Sequence, residues 1–474
     1  MKVLKFGGSV IRNANDIKNI QKIIKQNINN NEENIIVVVS AFHKITDKLL
    51  EIFEILLRND VYINNINYII DFHTNLIDEL QIEEDKKQSI FILLNELSEV
   101  VDNIKKKIQN SSKNIKKSYL LDNLLDKEKD LLLSFGERLS SRIIFSFLSQ
   151  TDDISYINSQ DLIKTDSNFG CANVDIIATK RIIRSVIDKI KSKIIICAGF
   201  IGSNSNGEIT TLGRNGSDYS ASLFADATNA KILELWKDID CLYTADPKIV
   251  ENVKSIKQIS YQEMIELSSL GNKVIHIDAI SPCLRKNIPI LIKNCYNPSS
   301  IGTIICKEKY QNYYVNSIVK MDNVFILKIN IYGENINITD FNIKLQHILY
   351  HFQDKIITIS QNIKQKIVSI ILTKEKSDYL INILTETFHK EIKENNILIT
   401  IGKVKSMITI IGADFSNVVG VSGKIFNILQ NNNININAIH DDFSSTRISF
   451  LCKKEESNKI VKLLHKELVE KKIN

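Results

Sequence analysis

Over the first 300 residues, apolar positions follow two alternating rhythms. Short, largely β-branched runs at Val3 to Phe6, Ile35 to Val39, Lys193 to Ala198, Ile232 to Trp236 and Pro289 to Lys293 are too brief for helices. They predict buried strands. Between them apolar residues recur every three or four positions, the spacing of a helix face. Ile17, Ile20, Ile23 and Ile24 form one such face, and Ile45 to Leu57 another. A third helix begins near Leu131 and turns Ile143, Ile144, Phe147 and Leu148 inward; Glu263 to Leu270 and Val274 to Arg285 predict two more. Residues 59–130 are charged, helically spaced and free of proline and glycine. They read as a helical insertion lying on this domain. Phe200 to Thr211, with Asn204-Ser205-Asn206-Gly207 at its middle, predicts a hairpin. Strands alternating with helices imply an α/β fold, a mostly parallel sheet covered on both faces. Ligands of such sheets bind in the crevice at the carboxyl ends of the strands.

Beyond about residue 310 the rhythm changes to strand–helix–strand–strand–helix, and it occurs twice. The first pass runs from Asn323 to Glu391. The second has a strand at Met407 to Gly412, a helix at Val421 to Leu429, strands at Ile434 to Ile439 and Arg447 to Leu451, and a helix from Glu455. Two small ferredoxin-like modules fit this pattern.

Composition narrows the function. A chain of 474 residues with 44% hydrophobic content suits two to four soluble domains. The net charge of +6 is small and its lysines are dispersed, so no nucleic-acid surface is expected. The seven cysteines form no C-x-x-C pair, which points to a reducing compartment rather than a disulfide frame or zinc site. The Met1–Phe6 start has no signal-peptide core and no stretch reaches a membrane span, so a cytoplasmic protein is expected.

Glycine is scarce, at 16 residues, so its positions carry information. Two glycines flank Arg214 in Thr211-Leu212-Gly213-Arg214-Asn215-Gly216-Ser217-Asp218, just before a helix start near Ser217-Asp218. A glycine turn, a helix N-terminus and a guanidinium together suit an anion. Lys5 ends a strand directly before Phe6-Gly7-Gly8-Ser9. Alone, each has a plain alternative: Lys5 a solvated edge lysine, Glu137 and Asp218 charges in a first helical turn or cap, Thr46 a helix cap, Lys273 a surface lysine, and Trp236 a core residue.

Taken together, six ordered motifs resemble the aspartate kinases. They are Lys5-Phe6-Gly7-Gly8-Ser9-Val10; Ser40-Ala41 with Ile45-Thr46; Phe135-Gly136-Glu137-Arg138-Leu139-Ser140; Gly199-Phe200-Ile201-Gly202 with Thr211 to Ser220; Trp236 to Asp240 with Tyr243-Thr244-Ala245-Asp246-Pro247; and Gly271 to His276. Gly412, Gly420-Val421-Ser422-Gly423 and Ile434-Asn435-Ile436 resemble an ACT regulatory domain. The whole is similar to the kinase part of bifunctional aspartokinase–homoserine dehydrogenases, and no G-x-G-x-x-G follows, so no dehydrogenase domain is expected in this chain.

The resemblance implies an amino-acid-kinase fold, a three-layer αβα sandwich, over residues 1–305 with the insertion at about 59–130. Two ferredoxin-like ACT domains would follow, a degenerate one at 314–395 and a second at 396–474. It implies transfer of the ATP γ-phosphoryl group to the side-chain carboxylate of L-aspartate, the first step toward lysine, threonine and methionine. Lys5, Gly8 and Asp218 would be catalytic. Arg214, Glu137, Ser40, Thr46 and Ser217 would hold aspartate, Glu137 or Asp218 taking its ammonium group. Lys5, Gly7, Gly8, Ser9, Lys237, Asp238, Tyr243, Lys248, Lys273 and Val274 would face the nucleotide. Mg²⁺ would ride on the ATP phosphates, with no protein metal ligand named. A homodimer through the ACT domains is expected.

The chain departs from the family in places. A threonine is missing between Gly8 and Ser9; Lys237 stands where threonine is common, and Lys248 where arginine is. The first ACT segment keeps only Gly333 in Tyr332-Gly333-Glu334-Asn335, and Ser360-Gln361-Asn362-Ile363-Lys364 lacks the usual serine-rich pattern. An active kinase with weak feedback by threonine or lysine is therefore expected. The alternatives are an amino-acid kinase acting on another acid or on a phosphate, and a non-catalytic regulatory protein that binds amino acids through its ACT pair.

Overall fold

The β-branched runs pair into a mixed sheet in the computed structural model. The strands, in chain order, are β1 (Lys2–Phe6), β2 (Ile35–Val39), β3 (Ile154–Ile157), β4 (Ile194–Ala198), the hairpin β5 (Ile201–Ser203) and β6 (Ile209–Thr211), β7 (Leu233–Lys237), the two-residue β8 (Leu242–Tyr243) and β9 (Ser255–Ile256), β10 (Gln258–Ser260), β11 (Ile290–Asn294) and β12 (Thr303–Cys306). The helices are α1 (Ala14–Asn31), α2 (Ile45–Leu57), α3 (Ile63–Glu79), α4 (Glu84–Ser111), α5 (Tyr119–Leu148), α6 (Ser159–Leu162), α7 (Ile176–Ile187), α8 (Gly216–Thr228), α9 (Tyr261–Ser269) and α10 (Ile277–Lys286). The structure describes all residues except 32–33, 112–118, 271–273, 308–314, 334–335, 353–355, 363, 375–376, 413–414, 416–417, 441–445 and 472–474, and leaves out the side chains of 29–31, 111 and 119–124.

Two units form. The first comprises Met1–Leu242, Lys257–Tyr261 and Lys273–Tyr310. Its eight-stranded sheet runs β10-β12-β11-β7-β1-β2-β4-β3, parallel except between β11 and β12. Strand order reverses at β1, which lies between β7 and β2. That reversal opens a crevice at the carboxyl ends of β1 and β7.

Alternation along β1 decides what faces where. Leu4 and Phe6 join Ile17, Ile20 and Ile24 of α1, Leu49 of α2 and Phe135 of α5 in one core. Each fully buried side chain of this size contributes about 1.5–3 kcal/mol. Val3 and Lys5 point the other way, toward the face that α8 packs against. Helices on both faces make the expected three layers. The insertion forms α3 and α4 and shares the α1–α2–α5 core through residues such as Ile69, Leu76 and Leu97. α5 begins at Tyr119 rather than near Leu131, because no proline or glycine interrupts the helical pattern there.

The second unit takes Tyr243–Ile256, Gln262–Asn272 and Gln311–Asn474, so the 1–305 boundary is crossed twice. Its further strands are β13 (Ser317–Ile331), β14 (Ile356–Asn362), β15 (Ile367–Thr373), β16 (Ile397–Ile401), β17 (Lys405–Ile411), β18 (Ala438–His440) and β19 (Arg447–Cys452). Its helices are α11 (Ile338–Tyr350), α12 (Ser377–Thr387), α13 (His389–Lys393), α14 (Val421–Asn431) and α15 (Ser457–His465). Both strand–helix modules share β13, 15 residues long. Its first half pairs with β17 and its second half with β15 and β16. β16, which the boundary at 396 assigns to the second module, completes the first; residues 317–321, assigned to the first, complete the second. Separate cores confirm the grouping, Phe325 to Ile397 in one and Val315, Ile408, Phe450 and Leu464 in the other. Among the described residues no helix is long and apolar enough to cross a membrane.

Candidate active site

The crevice holds a cavity of about 730 Å³, within the size range of small-molecule sites. Lys5 and Lys237 reach it from the carboxyl ends of β1 and β7. In register Lys5 lies beside Leu235, so Lys237, two residues on, shares its face. Both lysines turn to Asp218, in the first turn of α8. Lys5 Nζ lies 2.5 Å from Oδ1, and Lys237 Nζ lies 2.9 Å from Oδ2. Asp218 is 1% exposed and sits behind the cavity wall. Burial pushes its carboxyl toward neutrality, but Lys237 and then Lys5 outweigh that and hold it at about 2. Burial lowers the Lys5 ammonium, and Asp218 opposes the fall. With both oxygens taken, Asp218 organises two cations; of the two carboxylates expected to meet an ammonium group, only Glu137 lines the cavity.

α8 comes this close because of glycine. A Cβ on Gly199, at the end of β4, would lie 2.5 Å from Ser217 Cβ. The α8 N-cap is Asn215, in the left-handed region at φ 55, without a side-chain cap bond. Arg214, exposed, precedes it on the cavity wall. Ser217 donates to Ser40 Oγ at 3.4 Å, tying α8 to the turn after β2.

α5 supplies Glu137, buried at the cavity wall. Gly136 beside it lets α5 approach that same turn, since a Cβ there would stand 2.8 Å from Ala41 Cβ. Burial pushes the Glu137 carboxyl up to about 8, against the Ala41 amide, the Lys5 charge and the Ser40 hydroxyl. Its Oε2 is buried without a hydrogen-bond partner. A buried, unsatisfied carboxylate oxygen calls for a cation or donor from a ligand. Thr46 also lines the cavity; it is the second residue of α2, whose N-cap is Lys44, so it is not capping that helix.

Gly7, Gly8 and Ser9 also line the cavity. A Cβ on Gly8 would meet Ala41 O at 3.0 Å, so the turn leaves backbone close to the cavity. Ser9 Oγ donates to Asp238 Oδ1 at 3.1 Å, and Asp238 and Val274 line the same space. Tyr243 and Lys248 belong to the second unit and do not line this cavity. Lys273 lies outside the described residues. Trp236 is core, 2% exposed and stacked on Phe6. Among the described residues no group of three His, Cys, Asp or Glu side chains is placed to hold a metal ion. Sequence reasoning missed Lys129 and Leu133 on α5, which line the cavity, and Asp130 behind them. Lys129 and Asp130 sit in the charged run Asp126 to Asp130, which reads as a solvated helix face.

Residues 1–294 match the amino acid kinase family. The chain belongs to that family. Residues 408–468 of this amino acid kinase match the ACT domain. It is 31% identical over 476 residues to the bifunctional aspartokinase/homoserine dehydrogenase of Buchnera aphidicola (subsp. Acyrthosiphon pisum), across 99% of this chain and 56% of that protein. The chain thus spans little more than half the length of this relative. Its structure resembles Escherichia coli aspartokinase III in complex with aspartate and ADP, with a TM-score of 0.78, 23% identity and 99% of each chain covered. It also resembles Clostridium acetobutylicum aspartate kinase, with a TM-score of 0.75, 25% identity, and 99% of this chain and 100% of that one covered. The fold is that of the amino-acid kinases followed by an ACT-like sheet.

The Glu137 carboxyl, ordinarily near 4.3, is raised to about 8, so it is neutral below that pH and anionic above it. An ammonium-bearing ligand needs the anion. Aspartate affinity, measured by titration calorimetry, should rise roughly tenfold per pH unit below about 8 and level off above it. Glu137→Gln should bind weakly with no such slope; a flat wild-type profile from pH 6.5 to 9 contradicts the assignment.

Proposed function

We propose that this protein is an aspartate kinase, transferring the γ-phosphoryl group of ATP to the side-chain carboxylate of L-aspartate to give 4-phospho-L-aspartate and ADP. The observation that carries the reading is that one cavity joins a pair of lysines organised by a buried aspartate to an arginine and a buried carboxylate. The first set suits a phosphoryl group and the second an amino acid. The relatives named above support the same choice of acceptor.

The acceptor carboxylate is ionised at neutral pH, with an ordinary pKa near 3.9, so no general base is needed. One of its oxygens attacks the γ-phosphorus in line; the O–P bond forms as the bond to the β-phosphate oxygen breaks and ADP leaves. What the protein must supply is alignment and positive charge. Lys5 and Lys237 face the transferring group, with the Gly7–Ser9 turn beside it. Arg214 holds the aspartate α-carboxylate, Glu137 its ammonium group, and Ser40 and Thr46 donate hydroxyls. Mg²⁺ bound to the nucleotide would neutralise its phosphate charge, and such an ion needs only one or two carboxylates besides water and phosphate. Asp238 and Val274, which line the cavity, complete the nucleotide side in this reading.

The second unit would act as the regulatory half. Its first module exposes Tyr332, Ile343, Tyr350, Leu398 and Ile401, apolar surface that supports a homodimer through the ACT modules. The segments expected to hold an effector depart from the family pattern. Ser360, Gln361 and Asn362 lie exposed on the edge strand β14, and of Tyr332 to Asn335 only the first two fall within the described residues. Feedback requires an effector that distinguishes two states, so inhibition should be weak.

Aspartyl phosphate trapped as its hydroxamate measures turnover directly. Lys5→Ala should lower kcat by about 10²–10³, and Arg214→Ala should raise the KM for aspartate about 10–100-fold while leaving that for ATP within threefold. Unchanged kinetics in both variants would remove the site. Threonine or lysine at about 1 mM should inhibit the wild type by less than half, and light scattering should give about twice 54.1 kDa; strong inhibition at that concentration would refute the weak-feedback reading, and a monomer mass the dimer.

A further inference from the structure

Asp130 stands outside the set of groups that touch the cavity, yet it is the most heavily engaged carboxylate near it. It is fully buried on α5. Oδ2 accepts the Gly170 amide at 2.9 Å and the Thr211 amide at 2.7 Å, while Oδ1 accepts the Thr211 hydroxyl at 2.8 Å. Thr211 is held from its other side too, its carbonyl accepting the Ala172 amide at 2.9 Å. Thr211 is the last residue of β6, and Arg214 follows three residues later.

Between them the Leu212 amide donates to the Phe200 carbonyl at 2.9 Å, and the Gly213 carbonyl accepts the Gly216 amide at 3.1 Å. Gly213 and Asn215 both take positive φ, at 73 and 55, and the α8 N-cap makes no side-chain bond. Where the guanidinium stands therefore depends on where β6 ends, and Asp130 fixes that end. A buried carboxylate with three donors is costly to disturb, because losing its charge weakens all three bonds. Burial raises this carboxyl, and the Gly170 and Thr211 donors counter it.

The placement has a second consequence. Asp130 and Glu137 are seven residues apart on α5, two turns and roughly 10 Å along one face. One rigid helix thus carries the carboxylate that meets the ligand's ammonium group and the anchor of the loop that meets its carboxylate. We propose that Asp130 is a positioning residue that holds the Thr211–Arg214 segment at a set distance from Glu137, and so fixes the length of amino acid the site accepts. This rests on the aspartate-kinase reading above.

Four variants test it, Asp130→Asn, Thr211→Val and each of these combined with Arg214→Ala, assayed for hydroxamate-trapped product. Asp130→Asn should raise the KM for aspartate at least tenfold while kcat at saturation and the KM for ATP stay within threefold. Thr211→Val, which removes one of the three bonds and keeps both backbone ones, should raise it two- to fivefold and preserves a foldable test. In an Arg214→Ala background either change should add less than twofold, since both act through the guanidinium. Hydrogen exchange should show faster exchange confined to residues 209–216. Effects that remain undiminished without Arg214, a parallel fall in kcat and rise in both KM values, or an unchanged KM for aspartate overturn the inference while an active wild type leaves the kinase reading intact. A wild type that makes no hydroxamate overturns both.

Discussion

Two lysines sharing one buried aspartate is the arrangement on which the rest of the structure depends. Lys5 is 4% exposed and Asp218 1%. Neither charge would tolerate that burial alone, and removing one partner of such a pair commonly costs about 3–5 kcal/mol. The sheet makes the pairing possible. β1 and β7 are adjacent and parallel at the point where strand order reverses, so their carboxyl ends present Lys5 and Lys237 on one face. α8 meets them with Asp218 in its first turn, where a carboxylate also faces the positive end of the helix dipole. The outcome is positive charge held in place at a cavity wall, the kind of preorganised arrangement that the proposed phosphoryl transfer requires.

Around that pair, close approach is secured by small residues and by one unsatisfied group. Gly199 and Gly136 let α8 and α5 press against the ends of the sheet. Glu137 is left buried with an oxygen unpartnered, and it lines the same cavity as Lys5 and Lys237. α5 carries both Glu137 and Asp130, seven residues apart.

Much of this was legible in the chain, for identifiable reasons. Lys5, Glu137, Arg214 and Ser217 lie in short glycine-bearing motifs whose local geometry is dictated by their neighbours, and the cavity gathers all four. The strands and helices of the first 300 residues also follow from periodicity, apart from the long N-terminal extension of α5. Three things did not follow. The partner of β16 is decided by non-local pairing with β13, and nothing in Ile397 to Ile401 announces which module it joins. The second unit's claim on residues 243–256 depends on Ala245 and Val250 packing with Ile408 and Phe450, far away in sequence. Asp130 looked like one more charge in a solvated run; only its seven-residue spacing from Glu137 hinted at a shared face.

A crystal structure with L-aspartate and a non-hydrolysable ATP analogue tests the central claim most directly. The account predicts the γ-phosphate against Lys5 and Lys237, and aspartate in the same cavity with its α-carboxylate on Arg214 and its ammonium group on Glu137. Aspartate bound elsewhere, or a γ-phosphate without contact to either lysine, would contradict it.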